Sequence, residues 1–228
     1  MTSIDPKAEE KPWISPYAYC SDNPLNRIDP DGKDDYYVDK KGRVVRVEKN
    51  TKSDNFYRVN TKGERMQGKG NSLIFKHGTV QFVHPANEKD YGKRDPKSGT
   101  IDRFNVQGDK NASTIYKFVA GSKQSDGTTK QTVEWSKFQL ITDGSKYNNV
   151  LGTGNDRSRE YATPDIMATI KADGDKIRDF THSHPNTYGD AQPYPSDDDY
   201  YWFKEVHKNN PYATDHIYTP DDDQTKPY

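Results

Sequence analysis

The chain is poor in cysteine, in apolar residues and in net charge. Its 228 residues include one cysteine, Cys20, so an internal disulfide framework and a cysteine-built metal site are both excluded. Nothing around Cys20 resembles the setting of a cysteine nucleophile. Apolar residues make up 30% of the chain, below the content of an ordinary globular domain even when the glycines are counted with them. No run approaches the ~18–20 apolar residues of a membrane helix, and the opening "MTSIDPKAEEKPW" lacks the apolar stretch of a signal peptide. A soluble chain with no membrane partner is expected. The 34 basic residues are matched by 35 acidic ones, for a net charge of -1. Binding to a phosphate backbone needs a basic footprint, so no nucleic-acid partner is expected either.

Aromatics are present: 16 Tyr, 8 Phe and 3 Trp, too many for a disordered chain. A folded protein with a thin core and long loops follows. From about 34 to 85 the pattern is one of strands and hairpins. "YYVDKKGRVVRV" sets Gly42 at a turn between apolar alternations, and "FYRVNTKGERM" repeats the arrangement with Gly63. "SLIFKHGTVQFV" predicts a third hairpin turning at His77 and Gly78; His77 and His84 read as surface residues. A charged linker spans 88 to 102. "DKNASTIYKFVAG" predicts a short helix, capped by Asp109 or Asn111, striped by Ile115, Phe118 and Val119 and ended by Gly121. "QTVEWSKFQLI" (131 to 141) has strand composition, with Val133, Trp135, Phe138 and Leu140 inward. "DIMATIKADG" fits a short helix or a strand, and "IRDFTHSHP" a strand that Pro185 terminates.

Residues 13 to 33, "WISPYAYCSDNPLNRIDPDGK", hold Asn-Pro, Asp-Pro and Asp-Gly steps, so consecutive turns are expected there. This stretch resembles the closing motif of the Rhs/YD-repeat core at Tyr17, Tyr19, Asn23, Pro24, Asp29, Pro30 and Gly32. In that family the motif marks where a secreted shell ends and a C-terminal toxin begins. The resemblance implies self-cleavage aspartates at Asp29 and Asp31, but cleavage is not expected from these 228 residues without the rest of such a shell.

The most informative segment is "DFTHSHPNTYGDAQPYPSDDDYYWF", residues 179 to 203. On a strand, His182 and His184 project from one face while Thr181 and Ser183 face the other way. Two imidazoles rooted about 7 Å apart can converge on one metal ion. "PSDDDYYWFKEVHKN" predicts a helix with Ser196 as N-cap and Asp197, Asp198 and Asp199 in its first turn. Plain capping would account for those carboxylates, yet the geometry also lets Asp199 lean back as a third ligand. Three protein ligands leave a fourth tetrahedral position open, the arrangement of catalytic zinc.

The order His-x-His-Pro, then Pro-Ser-x-x-Asp, resembles the JAMM (JAB/MPN) metalloprotease signature at His182, His184, Pro185, Pro195, Ser196 and Asp199. The gap from His184 to Ser196 is longer than the family's usual one, which enlarges the loop "NTYGDAQPY". The family's glutamate strand resembles "EWSKFQL", which puts the general base on Glu134. Glu160, in "RSREYATP", is the rival. The resemblance implies zinc held by His182, His184 and Asp199, with Ser196 as oxyanion donor. It also implies an α+β fold, a JAMM/MPN-like mixed sheet flanked by helices and preceded by a β-hairpin-rich segment. His207 and His216 are expected to be structural.

Three segments are expected: a junction over 1–33, a β-rich segment over 34–105 and a JAB/JAMM-like zinc peptidase domain over 106–228. C-terminal cassettes of Rhs-type polymorphic toxins include JAB-like peptidases. The two resemblances together therefore imply an exported effector that cleaves a protein or peptide in a target-cell cytoplasm and is restrained by a cognate immunity protein. The alternative is a non-catalytic JAB/MPN-like binding module. A deaminase-like hydrolase lacks its Cys-x-x-C zinc site here.

Overall fold

The structure, a computed structural model, describes residues 34–49, 52–83, 101–121, 133–155, 162–184, 195–220 and 223–227. The chain divides into two units, Met1–Pro30 and Asp31–Tyr228. All the described residues belong to the second. The Rhs-like motif residues from Tyr17 to Gly32, with Cys20, and also His84, Glu160 and Pro185 lie outside the described residues.

Two sheets carry the fold. In the first, β1 (Asp34–Val38), β2 (Val44–Lys49), β3 (Ser53–Arg58) and β4 (Ser72–Lys76) run in the order β2-β1-β3-β4. In the second, β5 (Val80–Val83), β6 (Asp102–Val106), β7 (Ser136–Ile141), β8 (Asn149–Thr153), β9 (Lys176–Ser183), β10 (Thr214–Thr219) and β11 (Gln224–Pro227) run in the order β11-β10-β9-β7-β8-β6-β5. Its strands pair antiparallel except β9 with β10, which are parallel. Three helices accompany them among the described residues: α1 (Asp109–Ala120), α2 (Ala162–Ala172) and α3 (Asp197–Asn209). The architecture is α+β with mixed sheets, consistent with a JAB-like fold.

The first predicted hairpin forms. β1 and β2 pair antiparallel around Gly42, whose φ of 78° suits glycine. A Cβ at Gly42 would lie 2.3 Å from the Val119 carbonyl oxygen, so this turn presses directly on α1. The other two hairpins do not form as the alternation suggested. The return limb after Gly63 makes only an isolated bridge, Val59 to Arg65, and β3 pairs instead with β1 in parallel and β4 antiparallel. The turn at His77 and Gly78 is a corner between sheets, because β4 belongs to the first sheet and β5 to the second. Asp54, fully buried, holds that corner: its Oδ2 accepts the Val80 N–H at 2.8 Å.

The predicted α1 stripe of Ile115, Phe118 and Val119 is buried, and the Gly121 N–H closes the helix on the Lys117 carbonyl. The expected cap is corrected. Gly108 occupies the N-cap without a side-chain bond. Asp109 lies inside the first turn, where its carboxylate pairs with Arg178 at 2.6 Å, and the Asn111 amide donates to the Gln107 carbonyl. Segment 165–174, open between helix and strand in the sequence, contributes its first eight residues to the helix α2, which starts earlier at Ala162.

Two cores lie on opposite faces of the second sheet. One joins Tyr36, Val38 and Phe56 of the first sheet to Phe104, Trp135, Leu151 and the buried side of α1. Its aromatic rings are continuous: Tyr36 to Phe104 at 5.2 Å, then Phe104 stacked on Trp135 at 5.9 Å. The Trp135 indole N–H donates to the Gly42 carbonyl at 2.9 Å, tying the β1–β2 turn to the second sheet. The other core sets Phe138, Phe180 and Ile177 against Ile166 and Ile170 of α2 and Phe203 and Val206 of α3. Burying such side chains stabilises by about 1.5–3 kcal/mol each, so these interfaces fix where α3 lies.

Candidate metal centre

β9 delivers the histidines as period-2 alternation requires. Phe180 and His182 face α3, with ring centroids 6.1 Å apart, while Thr181 and Ser183 face the other way and are buried. His184 follows the last residue of β9 and is held by its N–H, which donates to the Tyr218 carbonyl of β10 at 3.0 Å. The two imidazole centroids lie 4.7 Å apart.

α3 delivers the carboxylate. Ser196 caps the helix: its hydroxyl oxygen accepts the Asp199 N–H at 3.3 Å, and its own N–H donates to Asp199 Oδ2, a reciprocal capping box. Capping and leaning back are therefore one conformation. The same Asp199 carboxylate reaches His182 Nε2 with Oδ1 at 3.0 Å and His184 Nε2 with Oδ2 at 3.2 Å.

One donor atom from each of His182, His184 and Asp199 lies within 4.8 Å of the others. Ligands at ~2.0–2.1 Å around a tetrahedral zinc sit about 3.3–3.4 Å from one another, close to the observed nitrogen–oxygen separations. Electrostatics favour the donor forms a metal needs. Burial lowers the His182 pKa below its ordinary value, an effect that Asp199 only partly offsets, so the ring favours the neutral form. For Asp199 burial pushes upward, but hydrogen bonds from both imidazoles and the Ser196 N–H outweigh it and hold the carboxyl well below the usual carboxylate range.

Glu134 stands at the entrance to β7. Ser136 pairs with His182, and the Ser183 N–H donates to the Trp135 carbonyl at 2.9 Å. Extending that ladder by one pair sets Glu134 across from His184. Its backbone is anchored: Thr153 Oγ1 donates to the Glu134 carbonyl at 2.5 Å and accepts the Asn155 N–H at 3.0 Å. Asn155, left-handed at φ 57°, is held by its amide donating to buried Asp102 at 2.9 Å. This support escaped the sequence reading, because nothing local marks Thr153 or Asn155. Ser183 escaped it too. It backs the site by accepting the Trp135 N–H at its hydroxyl, 3.0 Å away.

Among the described residues, the other three histidines pair with different carboxylates. His207 Nε2 meets Asp215 Oδ2 at 2.5 Å, and His216 Nδ1 meets Asp179 Oδ2 at 2.8 Å. His77 Nδ1 lies 3.9 Å from Asp54 Oδ1.

Residues 104–204 match the family model described as JAB-like toxin 1. This stretch is a JAB-like toxin domain. The match includes the three metal-ligand candidates, Glu134 and Ser196. No curated protein and no solved structure matches the chain. The matched residues thus run from β6 into α3, while the first sheet, β5, β10 and β11 lie beyond them.

Proposed function

We propose that the JAB-like toxin domain is a zinc-dependent peptidase or isopeptidase, the effector part of an Rhs-type polymorphic toxin. The observation that supports this reading best is the convergence of two imidazole Nε2 atoms on the two oxygens of one buried carboxylate. An ordinary capping aspartate has no need of two histidines.

In this reading His182, His184 and Asp199 hold the metal. Zinc, when bound, supplies Lewis-acid polarisation of the scissile carbonyl and activation of water near neutral pH. Glu134 accepts a proton from the attacking water and delivers it to the leaving amine as the C–N bond breaks. The Ser196 hydroxyl accepts from Asp199 N–H, which leaves its own proton to donate to the oxyanion of the tetrahedral intermediate. The Rhs context rests on the resemblance of residues 17–32, and with it come export, action in a target-cell cytoplasm and a cognate immunity protein.

Metal analysis of the purified chain tests the reading. About one zinc per chain is expected, lost in His182→Ala and in Asp199→Ala. Glu134→Gln should keep the zinc and lose cleavage of a peptide library. A protein that takes up no zinc at any offered concentration would favour the binding-module alternative.

A further inference from the structure

The two turns that looked alike in sequence are also alike in structure. In the first, Asp39 Oδ1 accepts the N–H groups of Lys41 at 2.8 Å and Arg43 at 3.0 Å. In the second, Asn60 Oδ1 accepts those of Lys62 at 2.8 Å and Glu64 at 3.1 Å. Gly42 and Gly63 each have a φ of 78° and donate to the carbonyl of the turn's first residue. Because β1 and β3 run parallel, with Tyr37 beside Tyr57 and Val38 beside Arg58, both turns leave the same end of the sheet side by side.

Between them lies a cavity of about 510 Å³, within the ~300–1,000 Å³ of small-ligand sites. Its lining includes five cationic side chains, Lys40, Lys41, Arg43, Arg46 and Lys62, and one carboxylate, Asp39. That carboxylate is already committed. Oδ1 closes the turn, and Oδ2 takes the Arg43 guanidinium at Nε (2.9 Å) and Nη2 (2.7 Å). Arg46 is held over the Tyr37 ring at 3.8 Å, and its guanidinium pairs at 3.3 Å with Glu48, which is exposed and does not line the cavity. In a chain whose net charge is -1, this much positive charge around one concavity repels itself and focuses a field that attracts anions. Both arginines are oriented before any ligand arrives, which reduces the cost of ordering them on binding.

We infer that the cavity between the two turns binds a compact multivalent anion carrying two or more phosphate or carboxylate groups. The apolar surface that Val45 and Val59 contribute to the lining suits a ligand with a short carbon or bridging skeleton between its charges. The site is independent of the zinc chemistry. It is joined to the toxin domain, since Gly42 of the first turn accepts the Trp135 indole N–H.

Calorimetric titration of the full chain with tripolyphosphate and, separately, citrate tests the inference. At about 50 mM salt, saturable binding of at least one of the two is expected, and their ratio shows which charged group the site prefers. Affinity should fall as salt rises. Lys41→Ala/Lys62→Ala should weaken binding by about tenfold or more; both lysines are exposed, so the fold is unaffected. His182→Ala/His184→Ala should bind undiminished, which separates this site from the metal centre. The inference is overturned if neither anion binds at millimolar concentration, or if the lysine double variant binds as tightly as the wild type.

Discussion

Asp199 concentrates three tasks in one side chain: it closes the capping box, meets both imidazoles and occupies a largely buried position. Its folded pKa is depressed below the ordinary 3.8, so its contribution to stability is complete well above that value and is lost as pH falls through the lower folded value. His182 acts in the same direction at higher pH. Its folded pKa lies below 6.5, so acidification through that region charges the unfolded chain before the folded one. In protein stripped of divalent cations, stability should therefore decline on acidification in two windows, below about pH 6.5 and again below about pH 4. Asp199→Asn should abolish the lower decline in denaturant melts taken across pH. Parallel wild-type and variant curves below pH 5 would contradict it.

At the level of elements, the candidate metal centre is a junction between a strand and a helix start. β9 fixes the imidazoles through its pairing with β7 and β10. α3 fixes the carboxylate through its cap and through Phe203 and Val206 in the core. Ser196→Ala removes the acceptor for the Asp199 N–H. A loss of about 1 kcal/mol in thermal or denaturant stability is expected, with weaker zinc retention in a chelator competition because Asp199 is less well oriented. Ser196→Thr keeps the hydroxyl and should restore both. A variant that loses cleavage while keeping wild-type stability and zinc affinity would separate the oxyanion role from the cap.

The His-x-His spacing and the Ser-x-x-Asp cap were legible because each is local: strand period and capping chemistry act within a few residues. The β4–β5 corner was not legible. "SLIFKHGTVQFV" alternates equally well whether its two halves pair with each other or with different sheets, and the choice is made by β1, β3 and β6.

Across Asp31–Tyr228, a single aromatic core crosses from the first sheet to the second through Tyr36, Phe104 and Trp135. Phe104 is fully buried at its centre. Phe104→Ala should cost about 3–5 kcal/mol. Hydrogen exchange should then show protection lost together in β1–β3 and in β6–β8, rather than in β6 alone. Loss confined to the second sheet would mean that the two sheets unfold as separate units.

The sequence by itself determined which side chains could serve as donors and which way they would face, because alternation along a strand and the N-cap of a helix are decided within a turn or two of chain. It also identified the paired glycine turns, whose left-handed residues announce themselves. Only the tertiary structure decided that Asp199 meets both histidines, that β3 lies parallel to β1 so that the two turns share a cavity, and that Thr153 and Asn155 anchor the backbone of Glu134. These contacts join residues that are distant along the chain or separated by a loop. Their geometry is fixed by how the sheets and helices bury their apolar faces against one another, and no short stretch of sequence carries that information.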